Sequence, residues 1–254
     1  MYAGRTSVTI KASFKDEAMR TKMMRGILAV IAVVALTGCT AEEPKYGTET
    51  QVSSPLRKRQ IWAVAPAVNL SGYPQVDPLL HGDNLFQQLQ QVDGVTAIPV
   101  NRVVQVFASL RIEQVQSAEQ ASLVCDVLGC DGLLVPTVTA YDPYDPPKLG
   151  AAIQLFRRAG YARAENVSPR ELARRASPGK EQSLQTAPDF LQTVGMFDAA
   201  SGSVRQAVYD YARGRNDPLG PMGAREYFAS MDRYSGFVYH TLIAELMKHP
   251  KLQG

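Results

Sequence analysis

The side chains able to do chemistry in this chain of 254 residues are few: three cysteines, three histidines, two closely spaced acids and a run of arginines. Cys125 and Cys130 bracket Asp126-Val127-Leu128-Gly129, and Gly129 reads as the left-handed residue that ends a helix. In such an ending the residues at these two places touch. The thiols therefore meet either as a disulfide or as two small buried groups filling an apolar contact. No further cysteine or clustered histidine makes them a metal site. His81, His240 and His249 are scattered and read as packing or surface residues, so no cofactor and no metal is expected. Asp142 and Asp145 resemble paired acids in spacing, yet each precedes a proline and reads as turn chemistry. Tyr141 and Tyr144 in the same stretch are candidate partner contacts, because aromatics are enriched at interfaces. Arg157, Arg158, Arg163, Arg170, Arg174 and Arg175 form a candidate basic face toward phosphates, diluted by Glu165 and Glu171. There is no G-x-S-x-G elbow, P-loop, Rossmann glycine fingerprint or H-E-x-x-H, so no catalytic residue is assigned and the chain does not read as an enzyme.

The third cysteine, Cys39, closes a charge-free apolar run from Gly26 to Leu36 that follows Arg20, Lys22 and Arg25. A basic start, a short apolar middle and small residues at the end describe a signal peptide over residues 1–38. The run falls short of the roughly 20 apolar residues that a membrane span needs. Met19, Met23 and Met24 are alternative starts. The whole chain carries +3, but six of its 27 Lys+Arg and two of its 24 Asp+Glu lie in residues 1–38. The remaining 216 residues carry −1, which removes a nucleic-acid reading.

The elements that must position these side chains follow in order. Residues 39–59, with Glu42, Glu43, Pro44, Ser53, Ser54, Pro55 and the triplet Arg57-Lys58-Arg59, read as a flexible tether. Gln60–Val68 suits a buried strand and Asn69–Pro74 a turn. Asp77 caps a helix with Pro78 at its first position. Val95–Pro99 is a short strand. Asn101 caps a second helix, and Ser117 with Gln120 makes a capping box for a third. Gly132–Tyr141 is a long strand in which Pro136 demands an edge or a bulge. A hairpin returns through Ala151–Phe156. An Arg-rich insertion at 157–188 includes a short helix announced by Ser168-Pro169-Arg170-Glu171. Phe190–Phe197 and Val204–Tyr211 read as a second hairpin. A helix from Arg225 to Lys248, broken near Asp232, closes the chain. The fold class is α/β (α+β): a mixed sheet with helices packed on it, in a domain over 60–213, plus a C-terminal helical segment over 214–254.

Two resemblances extend this reading. Leu36-Thr37-Gly38-Cys39 resembles the lipobox of bacterial lipoproteins, a branched apolar residue and two small ones before the cysteine. The resemblance implies that Cys39 is cut free and lipidated, so that the protein sits in the cell envelope, membrane-anchored. Thr40 implies the outer membrane, facing the periplasm. Ile61–Gly72 with its Asn-Leu-Ser-Gly turn, Leu128-Gly129-Cys130-Asp131-Gly132, and Phe197-Asp198-Ala199-Ala200-Ser201-Gly202 together resemble domains of the TolB amino-terminal, CsgG-like and LpoB-like envelope group. That resemblance implies a scaffold or accessory subunit that binds an envelope protein and transfers no catalytic residue. The alternative is a homo-oligomeric component of a transport or secretion system. The insertion lacks the alternating strands that a CsgG-like pore requires.

Overall fold

A computed structural model of the protein describes residues 51–158, 190–217 and 220–252. The signal-peptide expectation, Cys39, and most of the Arg-rich insertion with its Ser168–Glu171 helix lie outside the described residues.

Six strands make one mixed sheet: β1 (Gln60–Val64), β2 (Val68–Asn69), β3 (Val95–Ile98), β4 (Gly132–Asp142), β5 (Lys148–Arg157) and β6 (Phe190–Asp198). The spatial order is β3-β1-β4-β5-β6, and β2 takes over beside β4 where β1 ends. β3, β1 and β4 run parallel, whereas β5 and β6 return antiparallel. Among the described residues the α-helices are α1 (Pro78–Leu89), α2 (Val100–Leu110), α3 (Ala118–Leu128), α4 (Gly202–Ala212), α5 (Glu226–Ala229) and α6 (Met231–Met247).

Strand alternation sorts the side chains into two cores. Trp62 and Val64 of β1, with Leu134 and Val138 of β4, meet Leu85 and Leu89 of α1 and Tyr234, Phe237 and Leu242 of α6. Ala63 and Ala65, with Leu133 and Val135, meet Val103 and Phe107 of α2 and Ala121 and Val124 of α3. The sheet is thus covered on both faces, which is why β1 is apolar without alternation. Asp77 caps α1 as expected, its Oδ1 accepting the N–H groups of Leu79 at 2.8 Å and Leu80 at 3.3 Å. Gly82 lets α1 approach β1: a Cβ there would lie 3.0 Å from the Ala65 carbonyl oxygen. Ser117 caps α3 through the Gln120 N–H, but the Gln120 side chain accepts from Gln116 N–H, one residue before the cap.

Four expectations need correction. Val204–Tyr211 is not a strand but α4. Val208, Tyr211 and Ala212 are buried at helical spacing, and Asp198–Ser201 turns β6 into that helix instead of into a hairpin partner. α2 begins at Val100, not after Asn101, because extended Pro99 precedes it and Val100 is drawn into the core without any side-chain cap. Pro136 is neither at an edge nor at a bulge. β4 is central, and the carbonyls of Leu134 and Val138 face the β1/β2 side. By the two-residue period Pro136 faces that side too, level with the break between β1 and β2 where no ladder bond is lost. The bulge lies later, between Val138 and Ala140. Finally, the tether does not reach residue 59. Val52 is buried and bridges to Val92, donating to the Gln91 carbonyl at 3.0 Å and accepting from Asp93 N–H at 3.2 Å.

The C-terminal segment belongs to the larger core. Ser230, extended, separates α5 from α6 and caps α6 through Arg233 N–H at 3.4 Å, two residues before the expected break.

Candidate functional site

The parallel strands carry a crevice at their carboxyl ends. From β1 the chain passes through α1, on one face, to β3; from β3 it passes through α2 and α3, on the other face, to β4. The two connections diverge between β1 and β4, the place where open sheets leave room for ligands. A cavity of about 310 Å³ lies there. Its walls are the Ala65–Leu70 connection, Pro78 at the head of α1, Phe107 of α2, the Glu113–Val115 turn and Val135. Most of the lining residues are apolar, with Asn69, Glu113 and Gln114 as the polar side chains, but about half of the surface they present is polar.

The rim is built by local hydrogen bonds. Asn69 Oδ1 accepts from Ser71 N–H at 3.0 Å and Ser71 Oγ–H at 2.7 Å, and Asn69 Nδ2 donates to the Tyr73 carbonyl at 2.9 Å. With Gly72 in the left-handed region (φ +74°), this turn projects Leu70, 67% exposed, into solvent. The first turn of α1 adds Leu79 and Leu80, 50% and 44% exposed. The β4–β5 loop adds Tyr144, 74% exposed, whose N–H is held by Asp142 Oδ1 at 3.2 Å. Tyr144 lies near enough to Tyr73 to push its phenol up, after the effect of burial. Asp142 therefore shapes the loop, in which Asp145-Pro146 is a cis peptide.

Below the rim the polar groups are sealed. Tyr141 is half-buried, 5.2 Å from the Tyr73 ring and edge-on to His81 at 5.9 Å. His81 Nδ1 lies 3.1 Å from the Tyr239 hydroxyl. Burial pulls His81 down to about 4, against the opposing charges of Asp77 and Asp232. The same burial pushes Tyr239 up. Such a histidine stays neutral and packs; it takes up no second proton near neutral pH.

The expected contact residues separate into two groups. Tyr141 and Tyr144 lie at the loop end of the β4–β5 hairpin, near the pair Asp142↔Lys148. Arg157 and Arg158 lie at the other end, where Gly132 pairs with Arg157, roughly 30 Å away along ten residues of β5. Both arginines serve the fold: Arg157 Nη1 donates to the Lys251 carbonyl at 3.1 Å, and Arg158 pairs with Asp126 at 2.7 Å. The exposed Arg57–Arg59 triplet leads into the amino end of β1, also away from the cavity. Cys125 and Cys130 are buried free thiols. No group of three metal-ligating side chains occurs among the described residues. Leu70, Leu79, Leu80 and the cavity were missed by sequence reasoning. The available signal was apolar residues placed in a turn and off the buried stripe of α1.

No family model and no curated protein matches the chain. Among solved structures it is similar to the C-terminal domain of LpoB from Salmonella enterica, with 10% identity, 59% of this chain and 87% of that one covered, and a TM-score of 0.36. It is similar to the lipoprotein GNA1162 from Neisseria meningitidis, with 17% identity, 63% and 92% covered, and a TM-score of 0.36. It is also similar to a PelC dodecamer from Paraburkholderia phytofirmans, with 10% identity, 78% and 91% covered, and a TM-score of 0.32.

Proposed function

We propose that this protein is an envelope lipoprotein, anchored through Cys39 to the outer membrane and facing the periplasm, that docks a protein partner without catalysis. One observation carries the reading. Exposed Leu70 lines a cavity large enough for one or two side chains, exposed Leu79 and Leu80 follow its wall residue Pro78, and exposed Tyr144 stands beside Tyr73, at the end of the turn that carries Leu70. Exposed apolar groups gathered at a concave site mark interaction surfaces. The partner inserts an apolar anchor beside Glu113 and covers the leucines.

A photo-crosslinking residue in place of Tyr144, in cells making the full chain, tests this. A single cross-linked envelope protein, lost when Leu70→Asp and Leu79→Asp are added to a still-folded chain, is the expected result. Cross-links indifferent to the two aspartates overturn the docking site. Palmitate labelling of wild type against Cys39→Ser tests the anchor separately.

A second reading, an oligomeric component, rests on β6. Its residues 190–197 carry no charge, Val194 and Met196 are exposed, and β5 is its sole strand neighbour among the described residues. Such an edge pairs with a second copy. A concentration-dependent mass by light scattering, reversed by Val194→Lys, supports it; a monomer at all concentrations removes it.

A further inference from the structure

The two thiols at the end of α3 are placed for a reaction independent of partner docking. Cys125 sits in the last turn of α3, and Cys130 is the first residue beyond Gly129, which takes φ +68°. The N–H groups of Gly129 and Cys130 both donate to the Cys125 carbonyl, the latter at 3.0 Å. This closed turn puts both side chains on the same side of the helix end. There the two thiols lie close enough to perturb each other, Cys130 pushing Cys125 up and Cys125 pulling Cys130 down. They are 1% and 0% exposed, in the small-residue core with Ala63, Val124 and Leu133. Two buried thiols of one cluster, brought together across a fixed turn, need little movement to bond.

We propose that Cys125 and Cys130 are a disulfide-forming pair. The nucleophile is Cys130: Cys125 and the Ala63 N–H stabilise its thiolate and pull it down, while Cys130 holds Cys125 up. The Cys130 sulfur attacks the disulfide of a small oxidant such as oxidised glutathione, forming a mixed disulfide and releasing one thiolate. Cys125 then attacks the Cys130 sulfur, expels the second thiolate and gives up its proton. Two protein thiols become one disulfide, and one oxidant disulfide becomes two thiols. Burial makes opening of the α3 end the gate. That end is clamped by the Arg158–Asp126 pair at 2.7 Å and by Arg158 N–H on the Asp131 carbonyl at 2.9 Å.

The test uses the reduced full chain carrying Cys39→Ser, which leaves two cysteines. It is incubated with oxidised glutathione, quenched by alkylation in denaturant, and read by mass spectrometry, with circular dichroism confirming the fold. The expected product is an unalkylated chain two hydrogens lighter, with the peptides of Cys125 and Cys130 linked. Cys125→Ser should accumulate the glutathione adduct at Cys130, whereas Cys130→Ser should react more slowly. Asp126→Asn should speed closure by up to about 5-fold, the factor that loss of a partly exposed ion pair allows. A folded chain whose thiols both remain alkylatable, or both end as separate glutathione adducts, overturns the proposal. The wild-type pair alone decides this, whatever the variants do to folding.

Discussion

The two faces of this sheet are filled by opposite means. On the face covered by α1 and α6, the strands present Trp62, Val64 and Leu134 to Tyr234, Phe237 and Tyr239, and polar groups are buried in pairs. His81 meets Tyr239, the Tyr211 hydroxyl donates to Gln88 Oε1 at 3.0 Å, and Asn84 Nδ2 donates to Asp232 Oδ1 at 2.8 Å. On the face covered by α2 and α3, the same strands present Ala63 and Ala65 beside Leu133, and the helices answer with valines, Ala121, Cys125 and a single ring, Phe107, with Cys130 just beyond the helix end. The first face holds by volume and paired polar groups, the second by close approach. The first therefore fails through cavities and protonation, the second through crowding.

The largest test of that contrast is truncation. Trp62→Ala removes a fully buried ring whose Nε1–H donates to Gln60 Oε1 at 2.8 Å. It should cost about 3–5 kcal/mol in urea unfolding. The crowding counterpart, Ala63→Leu, should cost about 1–3 kcal/mol although it adds apolar surface. If Ala63→Leu stabilises, the second face is loosely packed and the contrast fails.

Acid comes next. His81 and His240 are both held near 4, by burial first and, for His240, by Arg215 as well. The unfolded chain takes up these protons from about pH 6.5 downward, and the folded chain only near pH 4. Stability is therefore level above pH 6.5, falls between 6.5 and 4, and flattens below. For His81 the loss is on the order of 3 kcal/mol. Urea midpoints across that range should show the fall, and His81→Asn should shrink it. A midpoint that does not move between pH 7 and 4.5 breaks the assignment of buried neutral histidines to this face.

Tyr211→Phe should cost about 1–2 kcal/mol, because Gln88 loses its donor in a buried setting. The smallest effect belongs to Asp126→Asn on the other face. It removes a partly exposed pair and should change the unfolding free energy by less than about 1 kcal/mol.

The elements that were legible in the sequence share a cause: their signals are local. Asp77-Pro78, Ser117 and Gly129 act on the backbone within a few residues, and each does what its chemistry dictates. Helix α4 was misread because Val204, Val208 and Tyr211 fit a four-residue period that only the packing against α6 makes decisive. Pro136 was misread because its tolerance depends on Pro66 breaking β1 seventy residues earlier in the chain, which no local pattern reveals. Tyr141 and Tyr144 were rightly placed in one loop, yet only the hairpin register separates them from Arg157 and Arg158. The cavity had no sequence signature, since it arises where two crossovers part.

The docking of Val52 against Val92 sets a leash. With Cys39 as the anchored residue proposed above, twelve residues separate it from Val52, the first bridged position among the described residues. Such a stretch cannot exceed about 45 Å, however it is extended. The domain then searches only a thin shell of volume beside its membrane, where a partner fixed in the same layer meets it at an effective concentration far above its cellular average. Affinity at the leucine-rimmed cavity can accordingly be weak, and lengthening residues 40–51 should dilute the encounter before it alters any contact.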